Sequence, residues 1–143
     1  MQGSFCKMTY SDALQKFGLP ASSQHRDEIR KLLVEETIRE QQGESGEEML
    51  RVLCVQLFSL AVVEDSLLIW AAKNSSFDAG CGLDLQFLCG AGLEKTKEYL
   101  AASNADTASK ALQRLHDCEQ SGDFHGWAPQ KTINEYRGYF GLK

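Results

Sequence analysis

The sequence predicts an all-α fold: one compact domain over residues 1–143, built as a bundle of about six or seven helices around a long central helix at about 47–74. Three observations carry this reading. Prolines are scarce, with only Pro20 and Pro129 present, so few places forbid a helix. The glycines gather at 43–46, 80–82, 90–92 and 122–126, which are natural helix ends. Apolar residues recur at helical spacing, and no segment alternates apolar and polar residues between turns as a half-buried strand does. A chain of 143 residues with 43% hydrophobic and 24% charged residues can bury a self-sufficient core.

Residues 1–8 are expected to be loosely ordered. Thr9-Tyr-Ser-Asp12 has the spacing that caps a short helix, which stops near Gly18-Leu-Pro20. A second helix is predicted from about Gln24 to Gln41, broken by Gln42-Gly-Glu-Ser-Gly46. Ser45-Gly-Glu-Glu48 has capping-box spacing and starts the central helix, which is expected to end near Asn74-Ser-Ser76. A short helix is expected around Leu83–Cys89, framed by glycines. Leu93–Ala102 follows with Leu93, Thr96 and Leu100 inward. Asp106 or Thr107 caps the next helix, whose inner face is Ala108, Ala111, Leu112, Leu115 and Cys118. Trp127-Ala-Pro129 opens a last helix, with Pro129 in its first turn and Ile133, Tyr136 and Phe140 as its apolar stripe.

Composition bounds the function. A net charge of -5 argues against a nucleic-acid binder or an anionic-membrane binder, since both need a basic surface. No basic segment followed by an apolar stretch opens the chain, so no secretory signal is expected. The apolar run from Met49 to Ala72 is interrupted by Arg51, Glu64 and Asp65, which speaks against a transmembrane helix. The five cysteines, at 6, 54, 81, 89 and 118, form no CxxC pair. They read as reduced thiols of a cytoplasmic protein rather than as a disulfide or zinc framework.

Glu64 is the leading candidate for chemistry. On a continuous helix turning about 100° per residue, Glu47, Glu48, Arg51, Ser59, Asp65, Ser66 and Lys73 share one polar stripe. Glu64 falls opposite, among Leu50, Leu53, Leu57, Leu60, Ala61, Leu67 and Leu68. A buried carboxylate there needs a partner, a proton or a catalytic task. Glu36 and Glu40 stand one turn apart on the second helix and could converge with Glu64 to hold Mg²⁺ or Mn²⁺. That arrangement is similar to all-α nucleotide pyrophosphohydrolases, which use a Glu-Glu-x-x-Glu run and a later Glu-x-x-Asp. Here the spacing is Glu35-Glu36-x-x-x-Glu40 with an adjacent Glu64-Asp65. The plain alternative is a solvated face on helix two and a Glu64 paired with Arg30, Arg39 or a backbone group.

Four further clusters carry residues suited to chemistry or binding. Asp65, Trp70, Lys73, Phe77, Asp78, Cys81 and Asp84 combine charge, aromatics and a thiol around a glycine-flexible turn. Asp78, Cys81 and Asp84 recur every three residues and could face one cleft, and a helix N-terminus near Gly82 would activate Cys81. The alternative is a capped turn with a half-buried thiol. His116, Cys118, Asp123 and His125 are metal-ligand types within ten residues, yet they match no closed zinc pattern. Gly90-Ala-Gly92 lacks the preceding strand and third glycine of a dinucleotide loop and reads as a tight link between helices. Trp127, Tyr136, Tyr139 and Phe140 form an aromatic tail that either closes the core or docks a partner.

Two resemblances accompany this reading. Residues 92–106, from Gly92 through Leu100 to Ala105-Asp106, resemble the second half of an ankyrin repeat, with Leu85 and Leu88-Cys89 in place of its first helix. The resemblance, over 83–106, covers about one repeat, and it implies a helix-turn-helix hairpin without the period of a solenoid. Val63–Trp70, Ala72-Lys73, Phe77-Asp78, Cys81-Gly82, Asp84 and Leu88–Gly92 look similar to a group of small uncharacterised bacterial proteins. That resemblance implies a bacterial-type cytosolic protein and carries no activity, cofactor or partner.

Function therefore divides three ways. The favoured expectation is an acidic module that binds or regulates another protein, as toxin-neutralising proteins do, with no cofactor. The alternative is a hydrolase using Mg²⁺ or Mn²⁺ on a nucleotide or other phosphorylated small molecule. A third is a homodimer joined through the apolar 49–72 helix.

Overall fold

Almost every side chain of Leu50–Phe58 is buried, which makes one helix the axis around which the rest is wound. The computed structural model describes residues 8–44 and 47–142. Among them are eight α-helices, three 3-10 turns and no strand, so the fold is all-α. The helices are α1 (Tyr10–Phe17), α2 (Arg26–Gln41), α3 (Glu47–Ser59), α4 (Ser66–Lys73), α5 (Phe77–Gly82), α6 (Leu93–Ala102), α7 (Asp106–Gln120) and α8 (Pro129–Tyr139). The 3-10 turns are Ser23–His25, Val63–Asp65 and Leu85–Cys89.

Local signals in the sequence account for several ends. The Thr9 hydroxyl accepts from the Asp12 amide, and the Asp12 carboxylate accepts from the Thr9 amide, closing the box that starts α1. Pro129 opens α8. The inward residues of α7, Ala108, Ala111, Leu115 and Cys118, are buried as their spacing predicts, and Leu112 is half-buried. Ala105 rather than Asp106 or Thr107 precedes α7, and no side chain caps it. Ser45 and Gly46, the predicted cap of α3, lie outside the described residues, as do residues 1–7; Met8 packs against the core.

The predicted 47–74 helix is two helices. It ends at Ser59, the chain turns through Leu60-Ala61-Val62, and α4 begins at Ser66. Ala61 takes a left-handed φ of 61°, with its amide on the Phe58 carbonyl at 3.0 Å. No glycine or proline marks this corner, and an L-residue there costs roughly 1–2 kcal/mol. Packing supplies the compensation: α4 folds back onto α2 and onto the Leu85–Cys89 turn, burying Ile69 and Ala72. A straight 28-residue helix would leave those apolar side chains projecting into water.

Polar side chains fasten the central helix to its neighbours. Gln56, fully buried, donates from Nε2 to the carbonyls of Ala13 and Gly18 at 2.9 and 3.0 Å, tying the end of α1 to α3. The Ser59 hydroxyl accepts from the Ala21 amide and donates to the Gln56 carbonyl. Ser66 reaches the Leu88 carbonyl, locking α4 to the 3-10 turn. The expected helix at Leu83–Cys89 is that 3-10 turn, and a separate helix, α5, precedes it. α6 and α7 pack together after it.

Candidate functional site

The bend at residues 60–62 rotates the frame on which Glu64 was placed. Glu64 is exposed on the Val63–Asp65 turn, whereas Asp65, assigned to the polar stripe, is only 1% exposed. Arg26 grips Asp65 with two bonds, Nε to Oδ2 and Nη2 to Oδ1, both 2.9 Å. Arg30 Nε stands 3.0 Å from Oδ1. The buried carboxylate is therefore a brace between α2 and the start of α4, and it is not Glu64.

The carboxylates proposed as a metal set are not gathered. Glu36 is buried with Arg39 at 3.7 Å, and Glu40 accepts from the Ser76 hydroxyl at 2.7 Å. Glu64 points to solvent. Among the described residues no group of three His, Cys, Asp or Glu side chains could hold an ion. The same holds for His116, Cys118, Asp123 and His125: Cys118 is buried and the two histidines are exposed. Gly90 and Gly92 serve packing and turning. Gly90 lies against the Phe58 carbonyl, and Gly92, at φ 100°, begins α6 and accepts from Thr96.

What the fold does assemble is a cleft of about 480 Å³ between α3, α5 and α8, lined by Arg51, Cys81, Gly82, Asp84, Glu135, Tyr136 and Tyr139. Two of the predicted residues, Cys81 and Asp84, meet there. Asp78 is exposed outside it, Trp70 packs on the core, and Asp65 belongs to the arginine brace. Lys73 stands behind the wall, its ammonium donating to the carbonyls of Gly80 and Leu83, both at 2.6 Å. Burial pushes the Lys73 pKa down. It completes the C-terminal end of α5, where free carbonyls need donors. Cys81 lies in that last turn, at the carbonyl end of the helix rather than at an N-terminus near Gly82.

Arg51 organises the cleft. Its Nε and Nη2 donate to the Gly82 carbonyl at 3.3 and 3.1 Å, and Nη1 faces Glu48 and the Tyr139 hydroxyl. Tyr139 donates to Glu48 at 3.0 Å and Tyr136 to Asp84 at 2.7 Å. Burial, then the bond to Asp84, pushes the Tyr136 phenol well up, so it stays protonated and keeps donating. Arg51 is the single charge inside the apolar stretch of α3, and that isolation was the available signal for it. Glu135 gave none.

The aromatic tail mostly closes the core. Tyr136 meets Phe87 with ring centroids 5.2 Å apart, and Trp127 meets Phe58 and Phe124 at 6.4 and 5.4 Å. Tyr139 is the exception, 59% exposed at the cleft. Phe77 is 84% exposed at the first turn of α5, one helical turn from Cys81 and so on the same side of that helix. A second apolar strip, exposed Val34 and Ile38 of α2 with half-buried Leu68 and exposed Ala71 of α4, lines a separate groove of about 250 Å³.

Thiol burial gives a direct prediction. Cys54 is fully buried and its pKa is raised strongly; Cys89, also buried, is pushed up to about 12; Cys81 is exposed. Iodoacetamide at pH 8 is expected to alkylate Cys81 in the native chain and to leave Cys54 and Cys89 untouched until denaturant is added. Peptide mapping by mass spectrometry reads the order, and native labelling of Cys54 at the Cys81 rate would contradict it.

No family model, no curated protein and no solved structure matches this chain. Among the described residues no helix is long and apolar enough to cross a membrane.

Proposed function

We propose that the chain is a protein-binding module of the cytoplasm and that the cleft between α3, α5 and α8 is its docking face. The observation that carries this is a pair of large aromatic side chains held out of the core, Tyr139 on the cleft wall and Phe77 at the first turn of α5. An exposed phenylalanine on a capped helix costs hydration free energy that burial against a partner recovers. Aromatic side chains also contribute much of the energy at protein interfaces. The hydrogen bonds of Tyr136, Arg51 and Glu48 fix the cleft in advance, which lowers the entropy lost on docking. The four described cysteines are all free thiols, in keeping with a reducing compartment. Neutralising a toxin or regulating an enzyme are roles such a module would serve.

The test is site-specific photocrosslinking in the native cell. A photoreactive phenylalanine analogue at position 139 should trap one discrete partner, and the same analogue at Lys110, on the exposed side of α7, should not. Phe77→Asp should abolish trapping while leaving the melting temperature within a few degrees. Trapping that ignores Phe77→Asp and occurs equally from position 110 rejects the docking face.

The α2/α4 strip supports a second reading, self-association. None of Val34, Thr37, Ile38, Gln41, Leu68 and Ala71 is charged, so two copies of a chain of net charge -5 can meet there without opposing carboxylates. Sedimentation equilibrium should show a dimer for wild type and a monomer for Ile38→Glu. A monomeric wild type at high micromolar concentration ends this reading.

A further inference from the structure

The cleft's own chemistry selects among partners. We propose that it takes a cationic side chain, lysine or arginine, from the partner protein; this rests on the protein-binding reading above and specifies what is bound.

Sign comes first. Among the described residues the one cation in the cleft wall is Arg51, and its donors already face the Gly82 carbonyl, Glu48 and Tyr139. Asp84 and Glu135 line the cleft with it, Glu48 pairs with its Nη1, and the Lys73 ammonium behind the wall is held by the Gly80 and Leu83 carbonyls, which leaves three carboxylates to two cations around the cleft. Asp84 and Glu135 are exposed, and Asp84 engages Tyr136 through Oδ2. With Glu48 paired to Arg51, the carboxylates of Asp84 and Glu135 remain, so an anionic group entering here meets like charge and a cation meets complementary charge.

Shape comes second. The rings of Tyr136 and Tyr139 lie with centroids 5.8 Å apart and planes at 64°, an open corner rather than a closed stack. Both phenol hydrogens turn toward carboxylates, Tyr136 to Asp84 and Tyr139 to Glu48. The Tyr136 ring packs on Phe87 and Phe140, so the ring surface offered to a ligand is mainly that of Tyr139, which is 59% exposed. A negative ring face attracts an ammonium or a guanidinium within about 6 Å of its centroid. Arg51 makes this contact within the protein, its guanidinium carbon 5.8 Å from the Tyr139 centroid, so a ligand cation takes the exposed side of the ring away from Arg51. A volume of about 480 Å³ accommodates one long side chain, its methylene stem along the rings and its head at Asp84 and Glu135. Phe77, on the same side of α5 as Cys81, offers an apolar contact to the neighbouring residue of the partner segment.

The experiment uses the full chain and short capped peptides, Gly-Arg-Gly, Gly-Lys-Gly, Gly-citrulline-Gly and Gly-Glu-Gly, titrated while the tyrosine ring signals are followed by NMR. The arginine and lysine peptides are expected to shift the Tyr136 and Tyr139 resonances saturably, and the citrulline and glutamate peptides to bind at least fivefold more weakly. Asp84→Asn and Tyr139→Ala should each weaken arginine binding at least fivefold. Tyr139→Phe, which keeps the ring, and the remote Glu94→Gln should not. Equal binding of arginine and citrulline peptides overturns the proposal, as does preferred binding of the glutamate peptide, or an Asp84→Asn effect no larger than that of Glu94→Gln. If photocrosslinking from position 139 still traps a partner in those cases, the docking face stands and only the cationic ligand is wrong. If neither occurs, the docking face falls too.

Discussion

Replacing Gly90 with alanine is expected to lower the melting temperature by roughly 10 °C, corresponding to about 3 kcal/mol for a domain of this size. The backbone at Gly90 has ordinary helical angles, φ -58° and ψ -30°, so alanine meets no conformational objection. Space is the objection. A Cβ built there would sit 2.2 Å from the carbonyl oxygen of Phe58 and 3.0 Å from its carbonyl carbon. Those atoms are backbone near the end of α3, so no side chain can rotate away. Either the turn after Cys89 lifts off α3 or the carbonyl of Phe58 moves, and the latter disturbs the Ala61 amide bonded to it. Gly80→Ala is the control, since its Cβ meets only the Lys73 carbonyl at 3.6 Å, ordinary contact. Thermal melts of the two variants separate steric exclusion from a general intolerance of glycine substitution. Equal small losses would show that α3 and the Cys89 turn can part freely.

Asp65→Ala is the second large effect, and its contrast with Glu64→Gln is the informative part. Removing one partner from a sealed ion pair costs about 3–5 kcal/mol. Arg26 and Arg30 are each partly exposed, so water takes up some of the released charge, and about 2 kcal/mol is expected. Two guanidiniums on adjacent turns of α2 would then repel each other without the carboxylate between them. Glu64→Gln alters an exposed side chain and should change stability by less than about 0.5 kcal/mol. Denaturant melts of both variants decide between them. A large loss for Glu64→Gln with none for Asp65→Ala would return the buried role to Glu64.

That reversal between neighbours shows how a sequence reading fails. Polar and apolar residues from 47 to 73 fit one helical wheel, and on that wheel Glu64 faces inward. The wheel holds only while the helix is continuous. Three residues of corner at 60–62, without glycine or proline, restart the phase, and the apolar residues after the corner bury against α2 instead of along α3. Where the phase runs uninterrupted, structure and sequence agree: α6 spans the predicted Leu93–Ala102, α8 starts at Pro129, and Thr9 with Asp12 caps α1. The cleft was half legible. Cys81 and Asp84 share a spacing of three, whereas Arg51, Glu135, Tyr136 and Tyr139 arrive from positions thirty or more residues away from Cys81.

The sequence by itself determined the all-α class, the ends of several helices and the inward faces of α6, α7 and α8. Those depend on capping, proline and glycine chemistry and on a 3.6-residue period, all properties of neighbouring residues. Tertiary structure alone decided where the central helix breaks, which of two adjacent carboxylates is buried, and which residues share the cleft. Each of these turns on which distant surfaces cover one another, and a bend that is unfavourable locally persists because the packing it permits removes more apolar surface from water.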